Sequence, residues 1–429
     1  SAGPAPPATP TPPGSPTRPA TPAAAAAPPT RPAPCSPPRS SSCAAVAAPP
    51  AHLSLGPPSP PPSHLSLGPP ALLALALLLP ACGDPPALAP AATRELGALA
   101  WDPRISGRDG GYSARVGDRV LFVFGDTSAE KAPDALPGFL NNTACTTPDL
   151  DASDGLFPLD EHLEERGYPH EFLPLTDAEL AHEAAHNGPD CGDACEGVAL
   201  WPGPVIPDPA RGRVLVFYAK LLQRPGPLDV TVVGTSIAVW DEDLPTHATR
   251  PLVAPDSDEP TLLFPAGDLE MAAAALVDGD DLLAYACEGR GFDKPCRLAR
   301  APLADPLTRG AWRFLARDGA WSTDASDAVE LFQGAPMMTV HHKPEHDLYV
   351  AVYAEPGGTR ILLRTAPAPE GPWSDPADLH HPRKPLAESS MYGALMHPEL
   401  ARDGGATDYL TYYLGDTGTI QLVEISWPR

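Results

Sequence analysis

Past residue 100 the chain alternates short apolar runs with polar turns, and the same arrangement recurs five times. In each unit a turn leads into an apolar run rich in aromatics, at 120–124, 214–218, 282–285, 348–353 and 409–413; the first reads Val120-Leu121-Phe122-Val123-Phe124. A second apolar stretch precedes each turn, at 112–116, 205–206, 272–277, 337–340 and 394–400. Four units add a third, at 236–240, 297–301, 361–365 and 420–425. Short apolar runs bounded by Gly, Pro, Asn and Asp read as strands, and antiparallel strands repeated in tandem read as propeller blades. The expected fold class is all-β, a five-bladed β-propeller over residues 99–429.

The spacing of the units departs from regularity once. The later aromatic runs begin 68, 66 and 61 residues apart, whereas the first two begin 94 apart. An insertion over 128–197, between blades 1 and 2, accounts for the excess. It contains one helical signal: Thr176-Asp177-Ala178-Glu179 reads as an N-cap with a capping-box Glu, and Asn187-Gly188-Pro189 as the stop. Residues 96–101 are placed to supply an outer strand that closes the ring against the last blade.

The amino-terminal part has a different composition. Residues 1–81 hold Arg18, Arg31 and Arg39 and no acidic residue, and consist mostly of Pro, Ala and Ser. Residues 1–63 are therefore expected to be disordered, since such a sequence buries too little apolar surface to offset chain entropy. Within 64–81, nine apolar residues at 71–79 are too few to span a bilayer but suit a signal-peptide core. They run into Leu79-Pro80-Ala81-Cys82, which resembles a bacterial lipobox, with Cys82 the lipidated residue and 82–98 a flexible tether. An exported protein, lipid-anchored to the bacterial cell envelope on the periplasmic side or at the cell surface, is the resulting expectation.

From Cys82 onward, 26 Lys and Arg face 54 Asp and Glu. A field of that sign repels phosphate backbones and anionic bilayers, so nucleic acid is not an expected partner and the membrane is expected only through the anchor. Export permits disulfides. Cys287 and Cys296 flank a hairpin they are suited to staple, while Cys145, Cys191 and Cys195 leave one thiol over whichever two pair.

Two acidic residues lie in Gly-rich surroundings at the first blade: Asp109 in Arg108-Asp109-Gly110-Gly111-Tyr112-Ser113, and Asp126 in Phe124-Gly125-Asp126-Thr127. In a hairpin the start of one strand lies beside the end of the next, so both carboxylates can border one funnel. A carboxyl pair is what glycosidic bond cleavage requires; a separation of about 5–5.5 Å suits retention and about 6.5–9.5 Å inversion. Glu270, before the small-residue stretch 271–275, is a third candidate acid. Trp201, Tyr392 and His397 are candidate sugar contacts. His182-Glu183-Ala184-Ala185-His186 is a literal H-E-x-x-H but lacks a third ligand at the usual spacing, and no metal or organic cofactor is expected.

Several of these motifs, in the same order, resemble the bacterial domain-of-unknown-function 4185 family: Arg108 to Ser113, Phe124 to Thr127, Asn141-Asn142-Thr143, Ala199-Leu200-Trp201-Pro202, Gly371-Pro372-Trp373 and His397-Pro398-Glu399-Leu400. The resemblance spans roughly residues 100–429. It implies a five-bladed propeller related to furanosidase-like glycoside hydrolases; some members of the resembled family are endo-D-arabinanases, with an acidic pair matching Asp109 and Asp126. Arg108, Asn142 and Glu399 join the candidate substrate contacts. The expected function is hydrolysis of a furanose polysaccharide such as D-arabinan by a monomer; the alternative is a non-catalytic glycan-binding propeller.

Overall fold

The computed structural model describes residues 88–428, apart from 136–138, 158, 189, 227–228, 242–245 and 384–389. The expectations for residues 1–81 and for Cys82 lie outside the described residues. Five antiparallel sheets follow one another along the chain. Blade I consists of Ile105–Val116, Arg119–Ala129, Thr143–Thr147 and Asp160–Glu161, and blade II of Gly197–Asp208, Arg213–Gln223, Val230–Trp240 and Phe264–Pro265. Blade III is built on Ala274–Asp278, Asp281–Cys287 and Pro295–Pro302, with three short strands at its outer edge, and blade IV on Met338–Lys343, Leu348–Ala354, Ile361–Ala366 and Ala377–His380. Blade V comprises Met391–Met396, Thr407–Leu414 and Thr419–Ser426, and its fourth strand is Ala92–Ala98 from the start of the domain. The first strand of each blade lies at the axis, where the five neighbour one another in order round the ring.

The continuous apolar runs read from the sequence have a simple cause. Side chains alternate across a strand, and a blade is covered on both faces by its neighbours, so both sets are buried. Leu121 and Val123 pack with Val214, Val216 and Tyr218 between blades I and II. Val120, Phe122 and Phe124 point the other way, against Tyr409, Ile420 and Leu422 of blade V. Leu215 and Phe217 meet Leu282 and Ala284 of blade III. Two further clusters fill the III–IV and IV–V gaps, so the core is five apolar wedges, one between each pair of blades.

Two boundaries differ from expectation. The ring is closed by Ala92–Ala98, paired antiparallel to Thr419–Ser426, so the tether reading of 82–98 does not hold over that stretch. The segment 128–197 is not wholly an insertion, because Thr143–Thr147 and Asp160–Glu161 are the third and fourth strands of blade I. Thr-Ala-Cys-Thr-Thr carries no large apolar residue, yet all five are buried; small size, not hydrophobicity, fits that strand into place. The blade I–II connection is thus 162–196. Its helix Asp177–His186 has the expected capping box, with Thr176 Oγ1 accepting from the Glu179 N–H and Glu179 accepting from the Thr176 N–H.

Disulfides join Cys287 to Cys296, which face each other across the blade III hairpin, and Cys191 to Cys195. Cys145 is the one free thiol among the described residues, buried inside blade I. Among the described residues no helix is long and apolar enough to cross a membrane.

Candidate active site

Three of the five inner strands are irregular, and they are those of blades I, II and V. The pairing of Ile105–Val116 slips between Arg108 and Gly110 and again between Gly110 and Tyr112. Gly197–Asp208 slips between Pro202 and Val205, and Met391–Met396 between Tyr392 and Leu395. The inner strands of blades III and IV pair without a shift. Bulges re-aim side chains and gather at rims and sites. In blade I they require Gly110 at φ +80° and Gly111 at φ +104°, backbone states that side-chain-bearing residues rarely adopt.

The bulges converge on one group of side chains. Asp109 Oδ2 accepts a hydrogen bond of 2.5 Å from the Tyr392 hydroxyl of blade V. The backbone N–H of Asp126 also donates to the Asp109 carboxyl. Asp126 Oδ1 accepts 2.9 Å from Trp201 Nε1 of blade II, and the Gln223 amide donates to the same carboxyl. The Tyr413 ring stands 4.8 Å from that of Tyr392. Three blades thus hold two carboxyls within electrostatic reach of each other.

Burial pushes Asp109 up to about 7, and the neighbouring Asp126 carboxylate adds to the rise against the Tyr392 and backbone donors. Asp126 is raised too, by burial, with the Trp201 and Gln223 donors opposing. Desolvation penalises the charged form of an acid, and a second negative charge alongside penalises it further. A carboxyl that holds its proton near neutrality beside one served by two N–H donors is the division of labour that acid–base chemistry uses.

Glu270 sits at the same rim, ahead of the blade III inner strand, but its partner is another residue. Its N–H donates 3.0 Å to Glu288 Oε2, and burial together with Glu288 raises its pKa. It does not join the Asp109–Asp126 pair.

Four predicted substrate contacts are engaged inside the protein instead. Arg108 is buried; its guanidinium forms a two-pronged ion pair with Glu161 at 2.8 and 2.9 Å and stacks 3.6 Å from the centre of the Phe124 ring. Asn142 is likewise buried, accepting from the Leu173 N–H at 2.6 Å and donating to the Leu200 carbonyl at 3.1 Å, which pins the blade I–II connection. His397 lies between Ser113 Oγ at 2.5 Å and Thr411 Oγ1 at 2.9 Å, and Ser113 also donates to Glu399. That network ties blade I to blade V, and neither His397 nor Glu399 is free to meet a sugar.

The H-E-x-x-H helix is structural as well. Glu183 is buried, accepting from the Val198 N–H and from Asn187 Nδ2 at 2.8 Å, while His182 faces Glu196 at 3.4 Å. Among the described residues no group of three or more potential metal ligands occurs. Gln223 and Tyr413 were missed from sequence, one ending an ordinary strand and the other sitting in an aromatic doublet that reads as core.

Comparison with known proteins agrees with this architecture. The chain is similar to a candidate hydrolase from Bacteroides ovatus ATCC 8483, with 16% identity and a TM-score of 0.50 over 76% of this chain and 86% of that one. It is similar also to Zg3597, a family 117 glycoside hydrolase of the marine bacterium Zobellia galactanivorans, at 14% identity and TM-score 0.45 over 78% and 90% of the two chains. A third is the α-L-arabinofuranosidase PaAbf62A from Podospora anserina, solved with cellotriose, at 12% identity and TM-score 0.42 over 78% and 95%. No curated protein sequence matches. Residues 239–414 match the model of the domain of unknown function DUF4185. The chain is a five-bladed β-propeller that, over residues 239–414, is similar to the DUF4185 domain.

Proposed function

We propose that the protein is a glycoside hydrolase that cuts a furanose polysaccharide such as D-arabinan, with Asp109 and Asp126 as its carboxyl pair. The observation that carries the reading is the pair itself: two half-buried acids from adjacent strands, each held by an aromatic donor from a different blade, Tyr392 on Asp109 and Trp201 on Asp126. Asp109, protonated up to about pH 7, is the general acid that protonates the departing oxygen. Asp126, oriented by Trp201 and Gln223, acts from the ionised form as nucleophile or as base for water. Trp201 and Tyr413 offer aromatic surface for the sugar ring.

The family resemblance supports D-arabinan as the first polymer to try. Purified protein is incubated with D-arabinan, L-arabinan and a panel of other glycans, with Asp126→Asn as control. Oligosaccharides released from one polymer and lost in the control are the expected result; no release from any of them refutes hydrolysis.

Export with lipidation at Cys82 belongs to the same proposal. It is supported by the Leu79-Pro80-Ala81-Cys82 sequence and by two disulfides in the propeller, which persist in oxidising compartments. Metabolic labelling with a fatty acid, lost in Cys82→Ser, tests it.

A further inference from the structure

Beside Asp126 the surface opens into a cleft of about 760 Å³, walled by the ends of blade I and II strands and by the 162–196 connection. Clefts of roughly 300–1,000 Å³ accommodate ligands of several rings. Two contacts link it to Asp126, which does not itself line the cleft. Gln223 both lines the cleft and hydrogen-bonds Asp126. Leu140, also in the wall, exchanges two backbone hydrogen bonds with Thr127, the residue after Asp126, at 2.8 and 3.0 Å.

The lining suits a polyol. Phe139 stands at the rim with 61% of its surface exposed, which leaves a large aromatic face open. Glu171 is held by the Asn141 N–H and side-chain amide at 3.3 and 3.4 Å and has the Lys131 ammonium nearby. Fixed amides and a carboxyl beside an aromatic face meet hydroxyls and the apolar face of a sugar ring. The strong negative charge of the domain disfavours a polyanionic chain in the same place.

We infer that this cleft binds the sugar residues adjoining the scissile bond, with Phe139 as a stacking platform and Glu171 as a hydroxyl acceptor that sets specificity. The inference rests on the hydrolase reading above, and its test separates the two. The probes are a D-arabinofuranosyl disaccharide and a linear D-arabino-octasaccharide, given to the full chain and to its Phe139→Ala and Glu171→Gln forms. Phe139 is exposed, so Phe139→Ala keeps the fold. The expected result is that the octasaccharide-to-disaccharide ratio of kcat/KM falls about ten-fold in each variant, chiefly through KM. An unchanged ratio overturns the inference and leaves the hydrolase standing. Where neither probe is cut, octasaccharide binding by Asp126→Asn is measured by calorimetry. Weakening of that binding by Phe139→Ala upholds the cleft without catalysis; binding indifferent to Phe139→Ala, or none at all, overturns it.

Discussion

A β-carbon placed on Gly125 would collide with Asp109 Oδ1. The backbone of Gly125 is not in a left-handed state, so the requirement for glycine there is purely steric: the Asp109 carboxyl rests on the strand that carries Asp126. Gly125→Ala must therefore displace Asp109. A shift of about 1 Å in a reacting group costs on the order of 100-fold in rate, so kcat is expected to fall by about that factor. Thermal unfolding, monitored by circular dichroism, should show a Tm close to that of the unmodified protein.

The acid role proposed for Asp109 predicts a pH profile. With its pKa raised to about 7, kcat/KM should decline as the pH climbs through 7, approaching ten-fold per unit beyond it. Stability moves in the same sense. The folded state holds this proton more tightly than the unfolded chain, so the contribution is full below the usual carboxyl range and lost as pH rises through about 7. Asp109→Asn abolishes that loss. Its Tm should exceed that of the parent by a margin that grows from pH 5 to pH 8, whereas equal slopes would contradict the burial argument.

Trp201→Phe keeps an aromatic ring and deletes one donor to Asp126. Hydrogen bonds to charged groups contribute about 1.5–3 kcal/mol, so the pKa of Asp126 rises and kcat/KM drops by roughly 10- to 100-fold. The diagnostic is the acid limb of the pH–rate profile, which should move upward. A uniform fall at every pH would mean that the ring, not the N–H, is what the site uses.

Arg108 neighbours Asp109 in the chain but serves the fold. Its partner Glu161 is as buried as it is, with side-chain exposures of 0% and 3%. Arg108→Met leaves that carboxylate without its counter-charge, which costs about 3–5 kcal/mol. Chemical denaturation should show the loss, and Arg108→Met combined with Glu161→Leu should recover much of it.

These contrasts mark what the sequence conveys. The five units were legible because blades are covered on both sides, which writes each second strand as an unbroken apolar run such as Val120 to Phe124. The Asp109–Asp126 pair was legible as two acids at the start and end of adjacent strands in a hairpin. The orientation of their neighbours was not. Two bulges between Arg108 and Tyr112 defeat any inward–outward count along that strand, so Arg108 reads as a site residue and is in fact turned into the blade. Asn142 and His397 mislead for another reason: a polar side chain that satisfies buried backbone or hydroxyl groups has the same composition as one awaiting a ligand. Gln223 carries no local signal at all, because its role comes from where a strand 97 residues after Asp126 ends.

The strand that closes the ring also keeps the closure apart from the chemistry. Ala92 lies opposite Ser426, at the end of the blade remote from the rim where Asp109, Trp201 and Tyr392 enter their inner strands. The seam of the ring and the carboxyl pair therefore occupy opposite edges of the propeller, so a substitution at the Ala92–Ser426 pairing should loosen the closure without reaching the mouth.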